Sequence, residues 1–267
     1  TCPNLITSGL PALGSPEPPH EGRTTTRGAR LPGYHRGSGP MLDLQTTQIG
    51  SLPYDDIEDA ISFSMEHDIP FLPELPALGD AMLSYAQHPG RLSCLEAFWE
   101  ATTAAPLVKV QSVGPVTLIQ SGYTEDDALG AVYAHLDRIL SGMASRPILF
   151  LDEPGLGYVG IDYEPLWEAL FGAFDAEPGI HVCGNADWDR LFDAPISYSS
   201  HDAATHDITS WPRYRRDKRV AWGVTSPTQI HDPRPGDLIT APCGMGTWQR
   251  DDPADHLRRI QNLPPGT

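Results

Sequence analysis

From Met41 onward, short apolar runs alternate with longer stretches whose apolar residues recur at helical spacing. That alternation narrows the possible architectures sharply, because parallel strands can be joined only through a crossover of helix length. The strand-length runs are residues 46–51, 69–75, 107–111, 148–154, 179–183, 196–199, 220–224 and 238–241. Helical stretches are expected at 55–67, 80–87, 94–103, 126–145, 163–176 and 251–261; in the first, Ile57, Ala60, Ile61, Ser64 and Met65 mark one face. Eight such units predict an α/β fold, a single (β/α)8 TIM barrel over residues 41–267, with functional groups on the loops that follow the strand ends. Residues 1–40 are rich in Pro, Gly, Ser and Thr and show no apolar period, so they are expected to form a disordered extension.

The charge balance excludes several partners. Against 35 Asp and Glu the chain has 18 Lys and Arg, for a net charge of −17. Binding to a nucleic-acid backbone or an anionic membrane surface draws on clustered cations that are missing here, so neither partner is expected. No apolar run approaches the ~20 residues of a membrane-spanning helix. The four cysteines, Cys2, Cys94, Cys183 and Cys243, are too few and too scattered for a disulfide framework. A reducing, cytoplasmic setting is the expectation, and it would keep Cys183 and Cys243 available as thiolates. Cys94 falls inside a helical stretch and is expected in the core.

The chemistry concentrates at the strand ends. His181 and Cys183 stand two apart in Gly179-Ile180-His181-Val182-Cys183-Gly184, a β-branched run, so as strand residues they share a face and can grip one ion. Imidazole and thiolate are good ligands for Zn2+, which takes them in a tetrahedron with one position open when the site is catalytic. Cys243, at the end of another short apolar run, is the expected third ligand. A zinc ion so held is suited to bind a substrate thiol and lower its pKa. Glu74 and Asp152, each ending a strand, are suited to hold an ammonium group of the same substrate. The competing view of both acids is a solvated strand-end turn, and of His-x-Cys, plain packing.

The segments Ile49-Gly50-Ser51, Pro73-Glu74-Leu75-Pro76, Gly114-Pro115-Val116-Thr117, Asp152-Glu153-Pro154, His181-Val182-Cys183 and Cys243-Gly244 carry a resemblance. From about Thr46 to Gly246 the chain resembles the carboxy-terminal catalytic domain of cobalamin-independent methionine synthase, a zinc barrel related to the uroporphyrinogen decarboxylase-like methyltransferases. The resemblance implies a methyltransferase that converts homocysteine to methionine, with zinc on His181, Cys183 and Cys243. It also implies homocysteine contacts from Ile49, Gly50, Ser51, Glu74 and Asp152. Where the long enzymes complete the zinc site with a glutamate after the sixth strand, residues 196–203 contain none. Asp202 is the expected substitute, with His201 or water as alternatives. The long enzymes also use an amino-terminal barrel to bind their folate donor, and this sequence shows no counterpart. The methyl donor therefore stays open between methylfolate, a methylcorrinoid and a corrinoid protein. Two further readings are a corrinoid-linked methyltransferase acting on another small thiol and a non-catalytic zinc- or thiol-binding barrel. A tetrapyrrole decarboxylase is less attractive, since many substrate carboxylates would need cationic groups that this acidic mouth lacks.

Overall fold

The structure, a computed structural model, describes residues 44–158, 160–208 and 218–261. The expected extension at residues 1–40 lies outside them. Seven strands form one parallel sheet: β1 (Gln45–Thr46), β2 (Lys109–Val113), β3 (Ile148–Asp152), β4 (Glu177–Val182), β5 (Tyr198–Asp202), β6 (Arg219–Gly223) and β7 (Leu238–Thr240). Their spatial order, β1-β7-β6-β5-β4-β3-β2, runs backward through the chain and curls the sheet into a half-barrel.

Most strand residues are buried on both faces, and the pleat sorts the apolar ones into two layers. Leu149, Leu151, Ile180, Val182, Val220, Trp222 and Ile239 join the large cluster shared with the helices. Ile148, Phe150, Tyr198, Ala221 and Leu238 form a separate small cluster with Ile69 on the concave side. Successive side chains alternate between faces, so Asp152, four residues past Ile148, is also on the concave side. Register then places Lys109 beside Ile148, Gln111 beside Phe150, His181 beside Asp152 and Ser200 beside His181. These are the residues that build the site.

The helices cover the convex face and begin on local signals. In α4 (Glu125–Leu140), Thr124 caps the first turn by accepting from the Asp127 N–H at 3.2 Å. Glu125, Asp126 and Asp127 suit the positive end of the helix dipole, and Ala128, Val132, His135, Leu136 and Ile139 form its buried stripe. Asp56 caps α1 (Ile57–Met65) in the same way. The remaining helices are α2 (Leu95–Ala101), α3 (Pro115–Gln120), α5 (Glu164–Ala173), α6 (Trp188–Asp193) and α7 (Asp252–Gln261). Helices α3 and α6 were not anticipated, because six residues are under two turns and leave no periodic trace. No helix among the described residues is long and apolar enough to cross a membrane. Cys94 is fully buried at the start of α2, as expected of a core thiol, and burial pushes it up to about 12.

Two expected strands differ. The first is only two residues long, and residues 69–75 form no strand, so among the described residues seven strands stand where eight were expected. Instead, that segment makes single bridges, Phe71 to Lys109 on one side and Ser51 to Glu74 on the other. Pro70 and Pro73 are the physical reason: a proline has no N–H to donate, so no continuous ladder can form across them. The N–H groups that are present are used, Leu72 to the Lys109 carbonyl and Ile69 and Glu74 to those of Thr46 and Gly50, each at 3.0 Å.

Candidate metal centre

His181 is the fifth residue of β4, and its ring enters the concave side with 2% exposure. Its Nδ1 is 2.9 Å from the Oγ of fully buried Ser200 on the neighbouring strand. A polar partner on one ring nitrogen orients the ring and would leave Nε2 to ligate an ion, the usual arrangement behind a metal-bound histidine. Cys183 is the first residue past β4, half-buried on the same face. Cys243 arrives from the loop after β7, also half-buried. That loop is tied to the β1 side by the Met245 N–H, which donates to the Ser51 carbonyl at 2.7 Å. The approach is close enough that a Cβ on Gly246 would lie 2.2 Å from Ser51 Oγ, so the glycine is a packing requirement.

One ligand atom from each of His181, Cys183 and Cys243 lies within 4.8 Å of the other two. Among the described residues this is the one group of three or more His, Cys, Asp and Glu placed to share an ion. Tetrahedral zinc, from its bond lengths to sulfur and nitrogen, needs its donors about 3.5–3.8 Å apart. The three residues therefore fit such an ion with only small side-chain adjustment.

Asp202, the expected carboxylate ligand, is not in this group. Its Oδ1 accepts from the Ala204 N–H at 2.9 Å and its Oδ2 from the Thr205 hydroxyl at 2.7 Å. Short acids bond readily to backbone two residues ahead, and here that local turn captures the carboxylate. His201 alternates to the convex side, fully buried between the rings of Trp188 and Trp222 at 5.8 and 5.6 Å, and burial lowers it to about 3.

Beside the cluster of His181, Cys183 and Cys243 lies a buried polar group. Asp152 is 5% exposed and its Oδ1 has no hydrogen-bond partner. Burial raises its carboxyl well above the usual range, opposed by the nearby Lys109 ammonium. Glu74 is raised for the same reason, against the pull of Gln111, whose Nε2 donates to Glu74 Oε1 at 2.9 Å. The Ile49 carbonyl accepts from Lys109 Nζ at 2.7 Å, and the Gly50 carbonyl from the Glu74 N–H. Gly50 itself has φ +139°, and a Cβ there would lie 2.2 Å from the Gln111 amide nitrogen. Four of the five expected substrate residues, Ile49, Gly50, Ser51 and Glu74, thus belong to one connected wall, since Ser51 bridges Glu74, and Asp152 is within electrostatic reach of Lys109 and Glu74. Glu153 points the other way. It accepts from the Val116 and Thr117 N–H groups, the Thr117 hydroxyl and Trp167 Nε1, which makes it the cap of α3.

Sequence reasoning missed Lys109, Gln111 and Ser200. For the first two a signal existed: they stand two apart in Val108-Lys109-Val110-Gln111, polar on one face of an otherwise apolar run. Ser200 carries none, because its role comes only from lying beside His181. No protein-family model matches the chain, and no curated protein matches it.

Proposed function

We propose that the chain is a zinc-dependent methyltransferase that moves a methyl group to the thiol of homocysteine, giving methionine. The observation that carries the reading is the convergence of His181, Cys183 and Cys243 within 4.8 Å. Zinc held by two thiolates and an imidazole would supply a position where a substrate thiol is bound as its thiolate near neutral pH. In the overall reaction an S–CH3 bond forms, the donor–CH3 bond breaks with its electron pair kept by the donor, and the thiol proton is released.

The chain's own residues would bind and orient the acceptor. Ser200 holds the His181 ring. The Asp152 Oδ1, buried without a partner next to His181, would receive the substrate ammonium, since a buried carboxylate oxygen is costly unless a cation or donor meets it. Glu74 would take the same group from across the wall. The finer fold we propose is a (β/α)8 barrel with residues 69–74 as its eighth stave; hydrogen bonds from that segment to both β2 and the β1 side support it.

The test is incubation of the zinc-loaded protein with homocysteine and, in parallel, methyltetrahydrofolate or methylcobalamin, followed by mass spectrometry of the thiol. Methionine formed from either donor is the expected result. Stoichiometric zinc and homocysteine binding with no methyl transfer would replace this reading with a non-catalytic thiol-binding barrel.

A further inference from the structure

Lys109 is fully buried on the concave face, two residues before Gln111 on the same side of β2. Its Nζ donates to the Ile49 carbonyl at 2.7 Å and to Gln111 Oε1 at 2.9 Å, so both of these bonds go to neutral oxygens. The ammonium can only donate, and it therefore dictates which end of the Gln111 amide faces it. With Oε1 turned to Lys109, Nε2 is left to donate to the Leu72 carbonyl at 2.8 Å and to Glu74 Oε1 at 2.9 Å. A reversed amide would set an N–H against the ammonium and an oxygen against the carboxylate. The order Lys109, Gln111, Glu74 is thus a one-way relay.

We propose that Lys109 is a positioning residue that acts through Gln111 to hold the Glu74 carboxylate for a substrate ammonium, and so sets a preference for thiols that carry an amine. This rests on the reading of the site as one for an amino-acid thiol. Two other roles for Lys109 make different predictions. A plain structural strut would affect every thiol alike. A cation that merely repels the substrate ammonium would, on removal, strengthen the binding of amine-bearing thiols.

The deciding measurement is the affinity of the zinc-loaded protein for homocysteine and for 4-mercaptobutyrate, which is homocysteine without the amine, by titration calorimetry. The parent should prefer homocysteine. Lys109→Met should reduce that preference about tenfold or more, the scale of a hydrogen bond to a charged group, with 4-mercaptobutyrate affinity changed less than about twofold. Gln111→Leu should reduce it equally, and the double variant no further, as expected of residues acting in one chain. An unchanged or increased preference in Lys109→Met, or additive losses in the double variant, overturns the proposal. If Lys109→Met does not fold, Gln111→Leu decides alone, since it keeps the buried charge; an intact preference there also overturns it. A parent with no preference defeats the amino-acid reading and this proposal together, whereas a parent with a preference that Lys109→Met leaves intact defeats this proposal only.

Discussion

Ser200→Ala removes the hydroxyl that lies 2.9 Å from His181 Nδ1, in a place where Ser200 is fully buried and His181 2% exposed. When Nε2 is committed to a metal, Nδ1 must carry the proton, and that N–H then donates to Ser200 Oγ. In the variant that N–H loses the Ser200 hydroxyl at a position that is buried. Leaving a buried donor unsatisfied costs about 1–3 kcal/mol, which corresponds to a zinc affinity roughly 10–100-fold weaker, also the range seen when an outer partner of a metal ligand is lost. Competition for zinc with a chromophoric chelator at neutral pH reads this directly. Ser199→Ala is the control. Ser199 is one residue earlier, buried on the opposite face, and its Oγ has no hydrogen-bond partner. Its loss should leave zinc affinity within about twofold and stability unchanged or higher, since an unsatisfied hydroxyl is removed. Unaltered zinc affinity in Ser200→Ala refutes the assignment, as does an equal loss in Ser199→Ala, which would trace the effect to the strand and not to the hydrogen bond.

Cys183→Ser and Cys243→Ser should each lose most of the bound zinc by elemental analysis, while the metal-free variants keep the melting temperature of the metal-free parent; the two hydrophobic layers, not a metal staple, hold the fold. Asp202→Ala should keep its zinc but lose about 1–2 kcal/mol in urea unfolding, because its two hydrogen bonds tether residues 204 and 205 and not the ion. A pH dependence follows from His67, whose Nδ1–H donates to the Phe63 carbonyl at 3.0 Å while Nε2 accepts from Gln48 Nε2 at 3.1 Å. Gln48 cannot turn over, since its Oε1 already accepts from the Ala241 N–H, so the imidazole is held neutral. Burial lowers it from 6.5 to about 4. Between those values the unfolded chain binds the extra proton, so this contribution is present above 6.5 and lost as the pH falls through about 4. Urea midpoints at pH 7 and pH 4.5 should therefore converge in His67→Leu relative to the parent; an equal acid loss in both would show that His67 titrates normally.

The sequence alone was enough for the parallel α/β class and for the faces of the key residues. Strand alternation is local, so the i, i+2 spacing of His181 and Cys183 already meant one shared face, and the inward direction of Asp152 followed from its place at the end of a strand. What the sequence could not convey was which side chains meet. Cross-strand neighbours are set by register, and register depends on how all the strands pack into one curled sheet. That is why Ser200 beside His181 and the chain from Lys109 through Gln111 to Glu74 emerged only in three dimensions. Asp202 closes its own turn, with hydrogen-bond partners two and three residues away. Residues 69–75 have the apolar character of a strand, yet Pro70 and Pro73 deny them a ladder. Their place in the fold came from the N–H groups that remain, which reach Thr46 at one edge of the sheet and Lys109 at the other.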